Sequence, residues 1–127
     1  MMFNIELDKR THCMTPQLHR FDSSAAAAQA LAHVIAAELD AALQCGAQPL
    51  LLVSGGRSPL PFFSALSQQA LAWQHINVSL VDERSVPATH ADSNAALVRG
   101  HLLTAAAASA RWIGLVPPEI KIIRHAN

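Results

Sequence analysis

Leu50-Leu51-Leu52-Val53 is an apolar run that breaks into Ser54-Gly55-Gly56-Arg57-Ser58-Pro59, and Val78-Ser79-Leu80-Val81 is a second run that breaks into Asp82-Glu83-Arg84. Each run is short and bounded by turn formers, as a buried strand is. Each delivers a polar loop to one edge of a sheet. In open parallel sheets, ligands bind outside the carboxyl ends of the strands, where both loops fall.

The flanking sequence fits this placement. Phe3, Ile5 and Leu7 alternate with polar residues as a short strand would, and Leu18 to Phe21 suits a second short edge strand. Asp22-Ser23-Ser24 offers helix caps ahead of an alanine-rich stretch from Ala25 to Cys45, where Leu31, Val34, Ile35, Leu39, Ala42 and Leu43 recur at helical spacing. Gly46 suits the left-handed residue that ends such a helix. The run at 50–53, flanked by helices, is expected to be a central parallel strand. Ser58 is expected to cap the next helix, with Pro59 in its first turn and an end near Gln69. Ile76 to Val81 is the next strand. Asp92 or Ser93 caps a helix running to Leu103, Ala105–Ala110 reads as a short helix, and Trp112 starts a last strand. The alternation implies right-handed βαβ units.

Composition narrows the function classes. The chain has 127 residues, 51% hydrophobic and 14% charged, enough for one domain with a real core. A net charge of +0 argues against a broad nucleic-acid surface. No uninterrupted apolar stretch of about 18 residues occurs, so no membrane span is expected. The start lacks a signal peptide's basic region and apolar core. The 2 cysteines, Cys13 and Cys45, form no CxxC pair and read as thiols in a reducing compartment, so a cytoplasmic location is expected.

The loops carry the chemistry. Gly55 and Gly56 let an oxygen-rich ligand approach the backbone. A helix starting near Ser58 points free N–H groups and the positive end of its dipole at the same place. Ser54 and Ser58 add hydroxyls, and Arg57 a fork suited to phosphate. A bare Gly-Gly turn would be only a strand-to-helix connection; its company here favours an anion site. Asp82-Glu83-Arg84 alone would suit a surface turn whose charges pair with one another. Beside the first loop, Arg84 becomes a phosphate ligand, Asp82 a holder of sugar hydroxyls, a water or a proton, and Glu83 a structural residue. The 7 histidines form no metal-binding spacing. His33 reads as packed or half-exposed, and His90 lies within reach of the pocket rim.

At these residues the chain resembles the 6-phosphogluconolactonases. The resemblance rests on Ser54–Pro59, Val81–Arg84, Asp92-Ser93-Asn94, Leu102-Leu103 and Trp73, and covers roughly residues 18–116. It extends more distantly to glucosamine-6-phosphate deaminases and ribose-5-phosphate isomerases. The resemblance implies an α/β fold of three α/β/α layers around a mainly parallel sheet. It implies hydrolysis of 6-phospho-D-glucono-1,5-lactone to 6-phosphogluconate in the oxidative pentose phosphate pathway, with no cofactor or metal. Ser54, Gly55, Gly56, Arg57, Ser58 and Arg84 would bind the phosphorylated sugar, and Asp82 is the candidate catalytic residue. Ser85 stands where the family often has tryptophan. Family members are about twice as long, and their second half brings an Asp-Gly-His whose histidine is the general base; this chain has no Asp-Gly-His. Residues 1–116 therefore read as the N-terminal part of such a domain, 117–127 as an atypical tail with strand-like Ile120–Ile123, and activity as impaired. Neither nucleic acid nor a membrane is expected as a partner. Self-association through an uncovered sheet edge is expected. Another sugar-phosphate enzyme of this fold, or a non-catalytic binding module, is the alternative.

Overall fold

The computed structural model describes residues 2–5 and 15–116. Leu7, Cys13 and the tail at 120–123 lie outside the described residues. Strand β1 (Met2–Ile5) pairs antiparallel with β2 (Gln17–Arg20), Met2 opposite Arg20 and Ile5 opposite Gln17. A separate three-stranded parallel sheet holds β3 (Leu50–Val53), β4 (Asn77–Leu80) and β5 (Arg111–Trp112), in the order β3-β4-β5. The central strand is therefore β4. The sequence predicts that position for 50–53, but among the described residues β3 has a partner on one side only.

Helix α1 (Ser24–Gln44) begins as expected: Ser23, with extended backbone, accepts the Ala26 N–H at 3.1 Å. It ends in a Schellman turn. Gly46 at φ +79° donates to Leu43 O, and Ala47 donates to Ala42 O, both at 3.0 Å. Helix α2 (Leu60–Ser67) follows β3, and α3 (Asn94–His101) follows β4. A 3₁₀ turn at Trp73–His75 leads into β4, and another at Ala105–Ser109 leads into β5.

Both crossovers step in the same direction along the sheet, so right-handed connections put α2 and α3 on one face. Helix α2 touches both α1 and α3, which makes one continuous helical layer. The α1–α2 contact works by complementary size. Ala28, Ala32 and Ala36 on α1 leave room for Phe62, Phe63 and Leu66 on α2, and all are buried in one core with Trp73 and Val98. The Trp73 ring nitrogen is satisfied by Gln69 O at 3.0 Å. By length and hydropathy α1 would pass as a membrane span; one face of it, with Ala28, Ala32, Ala36 and Leu39, lies in the core.

The register sorts side chains between the two faces. Leu51, Val53, Val78 and Leu80 point into the helical layer. Leu50, Leu52 and Ile113 point the other way and are 53%, 52% and 47% exposed, with Val81 beyond them at 65%. The described residues thus supply the sheet and one helical layer. Leu66→Ala, in the core, is expected to cost about 2–5 kcal/mol in urea unfolding. Leu52→Ala, on the open face, is expected to change stability by less than about 0.5 kcal/mol. Equal losses would contradict this division.

Candidate functional site

The two polar loops leave the sheet side by side at the carboxyl ends of β3 and β4. The Val81 N–H donates to Val53 O at 2.9 Å, so the strands stay paired to the point where the loops begin. In the first loop Ser54, Arg57 and Ser58 are exposed. Gly56 sits at φ +93°, a left-handed conformation that favours glycine. Arg57 and Ser58, with Ser24 and Pro61, line a cavity of about 540 Å³.

Ser58 does not cap α2. Pro59 holds the cap position in a helical conformation with no side-chain bond, because the Arg57–Leu60 turn winds directly into the helix. The Leu60 N–H donates to Arg57 O at 3.2 Å, and residue 61 is proline. The helix start therefore offers fewer free N–H groups than the sequence predicts. The Ser58 hydroxyl and the Arg57 guanidinium remain available.

The second loop is organised by Glu83. Its Oε1 accepts the backbone N–H groups of Arg84 and Asn94, both at 2.7 Å. Its Oε2 accepts the Ala95 N–H at 2.8 Å and the Ser93 hydroxyl at 3.0 Å. Ser93 also caps α3 by accepting the Ala96 N–H at 3.2 Å. A carboxylate thus sits on the positive end of α3. Burial by itself would raise the Glu83 pKa, but the backbone N–H donors and the Ser93 hydroxyl outweigh it and hold the group below its ordinary value. The expected structural role of Glu83 has this physical form.

Asp82 and Arg84 flank this clamp and are exposed. Asn94 Nδ2 donates to Asp82 O at 3.3 Å and lies 3.5 Å from its Oδ1. Among the described residues the one ion-pair contact is His90–Asp92, so neither Arg57 nor Arg84 is neutralised by a carboxylate. The charges of 82–84 do not pair with one another. His90 Nδ1 accepts the Asp92 N–H at 3.0 Å, which leaves Nε2 carrying the proton in the neutral ring. The Asp92 Oδ2 approach at 3.8 Å is too long for a hydrogen bond. His90 in that form is a donor and not a proton acceptor. His33 is exposed, on the open side of α1, with its ring nitrogen 3.1 Å from Gln29 Nε2. No group of three metal-ligating side chains occurs among the described residues.

The sequence brings Ser54–Ser58 and Asp82–Arg84 together correctly. It does not reveal that Asn94 spans the gap between them. The cap signal at Asp92-Ser93 locates the start of α3, but nothing local says where the next side chain points.

Glu83 yields a prediction with a definite sign. Its folded-state pKa is depressed, so its contribution is present above the ordinary carboxylate value and is lost as pH falls through the folded value. The urea midpoint should fall on acidification from about pH 5 to about pH 3, less steeply in Glu83→Gln. At neutral pH, Glu83→Gln should cost about 1–3 kcal/mol. Parallel pH profiles would contradict the clamp.

Comparison with known proteins shows the family to which the chain belongs. The family described as glucosamine-6-phosphate isomerases/6-phosphogluconolactonase matches residues 22–122. The 6-phosphogluconolactonase of Pseudomonas aeruginosa is 54% identical over 110 residues, covering 87% of this chain and 46% of that protein. The one from Neisseria meningitidis serogroup A is 49% identical over 98 residues, 77% of this chain and 42% of that protein. A crystal structure of a 6-phosphogluconolactonase from Shewanella baltica superposes with a TM-score of 0.73 at 40% identity, covering 76% of this chain and 42% of the other. The chain spans less than half the length of the curated relatives it matches. With its paired strand-end loops and the match over 22–122, the chain belongs to the glucosamine-6-phosphate isomerase/6-phosphogluconolactonase family.

Proposed function

We propose that this chain supplies the substrate-holding part of a 6-phosphogluconolactonase site. The observation that carries the proposal is a pair of guanidiniums, Arg57 and Arg84, with no carboxylate partner among the described residues, on loops held side by side near an exposed Asp82. Two free cations flanking a glycine-rich loop suit a phosphorylated ligand, and Asp82 suits its hydroxyls or a water. Ser54, Gly55, Gly56 and Ser58 complete the binding set. The identities of 49–54% to proteins named 6-phosphogluconolactonase favour the lactone over an amino sugar or a pentose phosphate.

Hydrolysis of 6-phospho-D-glucono-1,5-lactone needs water to attack the ring carbonyl, a base to take its proton, and donors for the developing oxyanion. Arg57 and Arg84 are the donors at hand. Glu83 is occupied by four hydrogen bonds and His90 Nδ1 by the Asp92 N–H, so among the described residues of these two loops Asp82 is the base at hand. Among the described residues the Asp82 carboxylate meets only the Asn94 carboxamide, so no neighbouring side chain relays a proton from it. The chain by itself is therefore a binder with very weak or no turnover. The cytoplasm, where an exposed free thiol such as Cys45 persists, is its compartment.

Calorimetry with 6-phosphogluconate tests this. The 127-residue chain should bind, and Arg57→Ala should weaken binding about 10-fold. Rapid turnover of fresh lactone, abolished by Asp82→Ala, would overturn the assignment of weak activity. Preferred turnover of glucosamine 6-phosphate or ribose 5-phosphate would overturn the substrate.

The open face of the sheet supports a second proposal. Leu50 and Leu52 on β3, whose outer edge has no partner among the described residues, and Ile113 just after β5 on the same open face favour self-association. Analytical ultracentrifugation should show a dimer or larger species, shifted toward monomer by Leu52→Lys. A parent that stays monomeric at all accessible concentrations would contradict it.

A further inference from the structure

The adjacent glycines of the first loop are glycines for different reasons. Gly56 needs a left-handed backbone, and the space where its Cβ would lie is open. Gly55 is outside the left-handed region. What it lacks is room. A Cβ there would overlap Asn94 Oδ1 and Cγ and lie 2.9 Å from Nδ2. The Asn94 carboxamide fills the side-chain space of position 55.

The same carboxamide faces the second loop. Both Asp82 atoms it meets, the carbonyl oxygen at 3.3 Å and Oδ1 at 3.5 Å, are acceptors. That fixes the amide with Nδ2 toward Asp82 and Oδ1 toward Gly55. The backbone of Asn94 is anchored in turn, its N–H donating to Glu83 Oε1 at 2.7 Å. A connected path runs from Glu83 through the first residue of α3 to both loops.

We propose that Asn94 is a positioning residue whose carboxamide sets the spacing between the Gly55–Ser58 loop and Asp82. The ligand class rests on the reading given under Proposed function; the strut does not. A ligand long enough to touch both loops, such as a six-carbon sugar phosphate, feels that spacing. Inorganic phosphate, held by one loop, does not.

Binding of 6-phosphogluconate and of inorganic phosphate is measured by calorimetry on the 127-residue chain and its variants. Asn94→Ala should weaken 6-phosphogluconate about 10-fold and phosphate by less than about 2-fold. Asn94→Asp keeps the shape but sets a carboxylate against Asp82, and should weaken 6-phosphogluconate at least as much. Gly55→Ala should displace Asn94 and weaken it by about 10-fold or more, while Gly55→Ala/Asn94→Ala should bind no worse than Gly55→Ala alone. Equal weakening of both ligands by Asn94→Ala, parent-like binding by Asn94→Asp, or losses that multiply in the double variant would each overturn the proposal. If the parent chain binds neither ligand, the functional reading fails and the strut is judged from the same four-variant cycle in urea midpoints. There, a penalty for Gly55→Ala that shrinks in the Asn94→Ala background supports it, and strict additivity overturns it.

Discussion

Four donors converge on the Glu83 carboxylate: the N–H groups of Arg84, Asn94 and Ala95 and the hydroxyl of Ser93. Helix α3 has eight residues, too few to be stable by itself in water. Its start is held by a charge that belongs to the loop before it. The clamp closes the loop from 84 to 93 and removes most of its freedom to wander. It also orients what stands on either side of Glu83. Asp82 and Arg84 face outward because the residue between them faces the helix.

The rest of the chain makes that clamp possible. Strand β4 is pinned on both sides, by β3 and β5, and its end is therefore a fixed point from which Asp82 departs. Alanines on α1 let α2 approach closely with its two phenylalanines, which seats the β3-to-α2 turn carrying Arg57. The sheet's helical face is the core, and its strand ends carry the candidate site. The other face exposes Leu50, Leu52 and Ile113.

Much of this was legible in the sequence where the signal is local. The alanine-rich helix, its Ser23 cap and its Gly46 terminus are each set by residues within a turn of one another. The two loops were legible because an apolar run followed by glycines or charges has few structural meanings. What was not legible depends on distant pairing. Which strand lies in the centre depends on where β5 joins, some thirty residues after β4. The Ser58 cap was a sound local expectation, displaced because the Arg57–Leu60 turn winds straight into the helix and puts a helical Pro59 at the cap position. Glu83 and Asn94 are separated by a loop that carries no periodicity, so their contact has no signature in the chain.

The proposed sugar-phosphate pocket needs both strand-end loops. Its most direct test is an amide NMR titration of the isotope-labelled chain with 6-phosphogluconate. Shifts should concentrate at Gly55, Gly56, Arg57 and Ser58 in the first loop and at Asp82 to Arg84 in the second. Their absence, or their appearance at the separate cavity of about 410 Å³ lined by Asp40, Gln44, Gln48 and His75, would contradict the account.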